Sequence, residues 1–222
     1  MTQHHFSKTL LDRHAALWQT VLDHPFLQRA RDGELDDETF NTWLRQDYLF
    51  VEAAIPFVGA LISTAPTPQL RAALAPIPTA LEDELELFRE RADVLGVDVD
   101  GVEPGFINHA YVQFLLASGA RESFPAAFTV YWAAEKVYHE SWKVVEPAID
   151  DDHPWRPFVE NWAGDEFGQL VDFLEGEVDR MAADAGAAQR DRMEEMFETT
   201  VRYEIAFWQM ALDGPKWPGL KG

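Results

Sequence analysis

The chain has 222 residues, 47% of them hydrophobic, which is enough apolar material for a sizeable buried core and excludes a disordered chain. Its 39 acidic residues against 18 basic give a net charge of −21, which argues against nucleic acid or an anionic membrane as partner, because phosphate binding needs clustered Lys and Arg. Cysteine is absent, and with it disulfides, thiolate metal ligands and cysteine nucleophiles.

In chain order, every long segment reads at helical period. Phe6, Leu10, Leu11, His14, Leu17, Trp18 and Val21 form one stripe. Gly33 then punctuates, and Asp36 or Asp37 is suited to cap the next helix. That helix carries Phe40, Trp43, Leu44, Tyr48, Val51, Ala54 and Ile55 and runs to about residue 63, where Pro66 and Pro68 break it. Residues 70–95 hold two helices parted near Pro76-Ile77-Pro78, followed by a loop over 96–105. Helices are predicted over 106–118 and 124–145, and a Pro-rich acidic loop over 150–157. Further helices fill 158–185 and 187–212, and residues 214–222 form a Gly/Pro-rich irregular tail. Nothing alternates at period two long enough for a strand, and there is neither a repeat nor a linker long enough to divide domains. The expectation is an all-α, bundle-like single domain of roughly seven to nine helices over residues 1–222.

No apolar run approaches the roughly 18–20 residues of a membrane helix. Residues 1–8 are polar, without the apolar centre of a signal peptide, so a soluble, cytoplasmic protein is the default expectation. The acidic surface is either simply solvated or an adaptation to high salt, where screening weakens self-repulsion. Five Lys against thirteen Arg suit the halophilic reading.

Polar side chains on apolar helix faces are informative, because burying a carboxylate is costly unless it has partners or a task. Asp47 lies three residues from both Leu44 and Phe50; it either pairs with Arg45 or another base, or serves a site. Glu135 ends a long apolar run and shares a stripe with Tyr131, Tyr138, His139 and Trp142. Its plain alternative is a surface contact with His139. Glu204 stands one turn before Trp208 on an apolar helix, the alternative being an intrahelical contact with a nearby Arg.

Four landmarks occur together: His24-Pro25-Phe26, Gln46-Asp47, Ala163-Gly164-Asp165-Glu166-Phe167, and Tyr203-Glu204 followed by Phe207-Trp208. In their order and separation they resemble the thiaminase II (TenA) family over about residues 6–213. The resemblance implies a haem-oxygenase-like multi-helix bundle, often a homotetramer, acting on a 4-amino-2-methylpyrimidine without a cofactor. The family's Asp and late Glu, which grip and activate the aminopyrimidine, match Asp47 and Glu204, and its ring-stacking aromatic matches Trp162. Phe50 stands where the family often has Tyr, keeping a stacking face and losing a hydroxyl. A further pocket Tyr falls at about Asn108. Tyr138 and His139, on the Glu135 stripe, join the expected substrate-binding set.

The family's common branch carries a nucleophilic Cys in the helix over 124–145. One register puts Val130 there. The other, which needs fewer gaps, puts Glu135 there and resembles the Cys-less branch, with its Trp-Ala-x-Glu-x-x-Tyr-x-x-Ser-Trp stretch at residues 132–142. A carboxylate is a poorer nucleophile than a thiolate but can activate water. The resemblance therefore implies a thiamine-salvage hydrolase that converts an aminomethyl-pyrimidine to a hydroxymethyl-pyrimidine rather than an efficient thiamine-cleaving enzyme. Glu204 would protonate the leaving amine, Glu135 would be nucleophile or base for water, and Asp47 would hydrogen-bond the ring amidine.

A non-catalytic or regulatory pyrimidine-binding protein is the alternative class. A metal-dependent oxidase of the same fold is a third, but none of the seven His lies after His153, which rules out the late His-x-x-x-Asp-x-x-His of such enzymes. Glu135-x-x-x-His139 lacks a second ligand set, so no metal is expected.

Overall fold

A computed structural model describes residues 5–219. The first four residues of the polar N-terminus and the last three of the tail lie outside the described residues. Among the described residues there are eleven α-helices, one 3₁₀ turn and no strand. The helices are α1 (Phe6–Arg13), α2 (Ala15–Leu22), α3 (Pro25–Asp32), α4 (Asp37–Thr64), α5 (Pro68–Leu74), α6 (Ile77–Leu95), α7 (Phe106–Arg121), α8 (Phe124–Val145), α9 (Arg156–Ala163), α10 (Asp165–Asp184) and α11 (Ala187–Asp213), with the 3₁₀ turn at Glu146–Ala148. The all-α expectation holds. The count exceeds it because short helices open the chain: the first stripe breaks at His14, whose φ of −103° and ψ of 23° leave the helical region.

The boundaries follow from local chemistry. His24 caps α3 by accepting the Phe26 N–H at its Nδ1, and Pro25 takes the first helical position, where a missing N–H costs nothing. Gly33 ends α3 in the left-handed region at φ 71°, which a side chain would resist. Of the two candidate caps Asp36 is the one used: its carboxylate accepts from the Thr39 N–H at 2.9 Å and from the Thr39 hydroxyl at 3.0 Å. Those two hydrogen bonds hold the Asp36 carboxyl below its ordinary pKa. Thr67 caps α5, with Pro68 at its start.

By backbone contacts the chain gathers into two compact units, each made of two separate stretches. One unit comprises Met1–Glu34 and Pro125–Ile205, the other Leu35–Phe124 and Ala206–Gly222.

In the first unit α1 and α9 pack on α10, and α3 packs on the 3₁₀ turn. Asp179 of α10 ties down the start of α1, accepting from the Ser7 N–H at 2.7 Å and pairing with His5 at 2.6 Å. Every residue from 126 to 134 of α8 is buried. Phe197 of α11 stacks on Trp18 of α2 and Trp132 of α8, at centroid distances of 5.8 and 5.5 Å. Burying each such ring contributes about 1.5–3 kcal/mol, so these contacts fix how α2, α8 and α11 meet.

In the second unit α4 is the centre and packs on α5, α6 and α7. Trp43 meets Phe40 at 5.0 Å and Phe88 of α6 at 6.0 Å. Arg89 of α6 donates to the Tyr48 hydroxyl at 3.0 Å and lies 5.5 Å from its ring centroid. Among the described residues α4 alone is long and apolar enough to cross a membrane. Its apolar face is engaged by α6 and α7, and it buries Gln46 and Asp47. The described part of the tail, residues 214–219, is irregular, as expected, but it is held in place. Trp217 Nε1 donates to the Pro104 carbonyl at 3.1 Å, and its ring lies against Phe106 and His109.

Candidate active site

Helix α4 delivers Asp47 fully buried, with 0% of its surface exposed. Arg45, the base two residues earlier, is turned away: its Nε donates to the Asp98 carbonyl at 3.2 Å. Beside Asp47, the buried Gln46 is a clamp. Its Nε2 donates to the Glu103 carbonyl at 3.1 Å and its Oε1 accepts from the Gly105 N–H at 2.8 Å, which fixes the loop before α7. Asn108 of α7 is also fully buried, and its Nδ2 donates to both the Gln46 carbonyl (2.7 Å) and Gln46 Oε1 (3.1 Å). Its Oδ1 remains a buried acceptor with no hydrogen-bond partner among the described residues.

Phe50, one turn after Asp47, is half-buried. Its ring lies 4.6 Å from Tyr111 and 5.9 Å from Phe207. The tyrosine that α7 sets against Phe50 is therefore Tyr111, one turn beyond Asn108. Sequence reasoning passed over Tyr111, although its three-residue spacing from Asn108 places both on one helix face. A surface groove of about 250 Å³ on this unit lies between the Leu49, Glu52 and Ala53 face of α4 and the start of α7, and Asn108 is among the residues that line it.

In the first unit, α8 presents Glu135, Tyr138, His139 and Trp142 one turn apart on a single face. Glu135 is half-buried, and Tyr138 and His139 are each 8% exposed. Trp162, near the end of α9, is 2% exposed. Its ring is stacked on Trp142 (5.3 Å, 20°) and on Phe158 (5.8 Å, 8°) and meets Tyr138 edge-on (5.5 Å, 72°). His139 Nδ1 lies 2.6 Å from the Trp162 carbonyl, a contact that sequence reasoning did not foresee.

Lys136 next to Glu135 faces other partners: its Nζ lies 3.2 Å from Glu140 and 3.0 Å from Glu175 of α10. Glu140 also accepts from Trp18 Nε1 at 2.7 Å. Burial alone would lower the Lys136 pKa; the two carboxylates outweigh it and leave the ammonium's pKa raised.

Glu204 on α11 is fully buried, like Asp47. The neighbouring Arg202 is engaged at the surface, donating to Glu198 one turn earlier. Glu204 and Asp47 are the only two carboxylates buried to 0% among the described residues. Such burial is unusual for ionisable side chains and marks positions with a task.

A family model described as TENA/THI-4/PQQC matches residues 11–214. The chain belongs to the TENA/THI-4/PQQC family. Among the relatives of this TENA/THI-4/PQQC member is an "Aminopyrimidine aminohydrolase" of Halalkalibacterium halodurans, 26% identical and covering 96% of this chain and 97% of its own. Another is a "Probable bifunctional TENA-E protein" of Glycine max, 28% identical over 92% of each chain. A solved TenA homologue of Pyrococcus furiosus is 31% identical, with a TM-score of 0.88 over 93% of this chain and 99% of its own. A Shewanella denitrificans domain with a haem oxygenase-like fold superposes with a TM-score of 0.76 at 11% identity, covering 93% of this chain and 91% of its own. The haem-oxygenase-like bundle expected from the resemblance is thus the fold of this TENA/THI-4/PQQC chain.

Proposed function

We propose that this chain is an aminopyrimidine hydrolase of thiamine salvage, replacing the amine of an aminomethyl-pyrimidine by a hydroxyl. The observation that carries this reading is the complete burial of Asp47 and Glu204, the two positions at which the family resemblance places its pyrimidine-gripping carboxylates. The "Aminopyrimidine aminohydrolase" names of relatives from Halalkalibacterium halodurans, Helicobacter pylori and Bacillus subtilis support it.

In the proposed reaction the exocyclic C–N bond breaks and a C–O bond forms to water. Glu204 gives a proton to the departing amine, which leaves as ammonia, and Glu135 takes a proton from the attacking water. Asp47 accepts hydrogen bonds from the ring amidine, and the buried Oδ1 of Asn108 is a second acceptor for a pyrimidine amine. Phe50, Trp162 and Tyr138 supply aromatic surface. With no cysteine in the chain, Glu135 takes the place of a thiolate. A carboxylate base suits hydrolysis of a small amine better than displacement of thiazole from thiamine. We further propose that the substrate is a small cytoplasmic molecule and that the chain assembles as a homotetramer.

The test is a product assay of Glu204→Gln and Glu135→Gln beside the unaltered protein. Loss of a positioned acid or base costs ~10²–10⁴-fold in rate. Near-full activity in both variants would remove these roles.

A further inference from the structure

His139 was expected to touch substrate, yet its Nδ1 is taken by a backbone carbonyl and the Gly168 backbone passes close to its Cε1–Nε2 edge. Helix α9 ends at Ala163, and Gly164 is extended, with ψ 160°. A new ladder of hydrogen bonds starts from the Gly164 carbonyl, which accepts from the Gly168 N–H at 3.0 Å. The Trp162 carbonyl is therefore one of the last four of its helix, which have no intrahelical donor. His139 Nδ1 meets it at 2.6 Å. A carbonyl only accepts, so Nδ1 carries the hydrogen. On the other side of the ring lies Gly168 of α10, where an added Cβ would stand 3.2 Å from both Cε1 and Nε2. Phe167 flanks the ring at 6.0 Å. One imidazole thus lies between α8, α9 and α10, and a side chain at position 168 would crowd it.

We propose that His139 is a positioning residue. Through Nδ1–H it fixes the end of α9, and with it the Trp162 ring, against Tyr138 and Trp142 on the face of α8 that carries Glu135. This rests on the reading of Trp162 as an aromatic face for the pyrimidine.

Three substitutions separate this role from direct contact. His139→Asn places an amide donor near the position of Nδ1, His139→Gln places one near Nε2, and His139→Phe keeps the ring shape without a donor. With an aminomethyl-pyrimidine as substrate, His139→Asn should keep KM within about threefold of the unaltered protein. His139→Gln and His139→Phe should raise KM about tenfold with a smaller change in kcat, the effect of losing one hydrogen bond that supports binding. The reverse order, with Gln active and Asn impaired, would overturn the proposal in favour of Nε2 acting on substrate. Equal behaviour of all three would overturn it as well. Nitrogen NMR of ligand-free protein gives an independent reading: the hydrogen belongs on Nδ1, and a bare Nδ1 in the neutral ring would overturn the proposal. If the unaltered protein turned over no aminomethyl-pyrimidine, the functional reading would fall while the NMR result still decided whether His139 holds α9.

Discussion

Asp47 and Glu204 are carboxylates from which folding removes all solvent, and that sets what their amides should do. Asp47→Asn and Glu204→Gln keep the shape of the side chain while removing its ability to exchange a proton. Both should cut turnover of an aminomethyl-pyrimidine by ~10²–10⁴-fold while the thermal midpoint stays level or rises. A fall in stability matching the fall in rate would assign them to the core instead. Gln46 behaves oppositely. It satisfies the Gly105 N–H, the Glu103 carbonyl and the Asn108 amide at once, so Gln46→Ala orphans buried partners at ~1–3 kcal/mol for each group that water does not reach. Denaturant titration should show that loss. The carboxylates were legible in the sequence because a charge inside an apolar stripe stands out. Gln46 was quoted only as a neighbour of Asp47, since an uncharged amide leaves no such signal and its partners lie 57 to 62 residues away.

At the scale of elements, two glycines mark places where backbones meet. A Cβ at position 164 would stand 2.5 Å from the Glu160 carbonyl oxygen, so Gly164→Ala must displace the end of α9 that carries Trp162. It should raise KM in step with His139→Phe. A Cβ at position 105 would lie 2.7 Å from Pro215 Cβ. Gly105→Ala should cost ~1–3 kcal/mol in the full chain and less in one ending at Asp213, where Met210 Sδ, 3.1 Å from the added Cβ, is the remaining close contact. Lys136 joins α8 to α10, and its raised pKa gives this link a definite pH dependence. The stabilisation is complete below the ordinary lysine value and is lost as pH rises through the higher folded value. The thermal midpoint of the unaltered protein should therefore exceed that of Lys136→Met at neutral pH, and the gap should close in strong alkali. Helix ends with a chemical stop were readable: Gly33, Asp36 and Pro68 all act where the sequence places them. The break at His14 was not, because the stripe runs on without Gly or Pro and only packing interrupts it.

At the scale of the whole molecule, the family landmarks lie in stretches that fold into different units. Asp47, Phe50 and Asn108 belong to one unit and Glu135, Tyr138, His139, Trp162 and Glu204 to the other. Both units interleave early and late stretches of chain, an arrangement that helical periodicity alone does not reveal, because period reports the face of a helix and not its neighbour. The net charge of −21 is a property of the molecule rather than of any residue. If it is an adaptation to salt, the thermal midpoint should climb steadily as sodium chloride is raised from low ionic strength to molar concentration. A midpoint unmoved by salt would make the surface simply solvated. The central claim is the chemistry, and one side-by-side assay tests it most directly. The purified protein, in high salt, is given thiamine and an aminomethyl-pyrimidine at equal concentration, and products are quantified for the unaltered chain and Glu204→Gln. The expected result is hydroxymethyl-pyrimidine and ammonia from the amine, little product from thiamine, and a loss of ~10²-fold or more in the variant. Faster turnover of thiamine than of the amine, or no turnover of the amine at all, would contradict it.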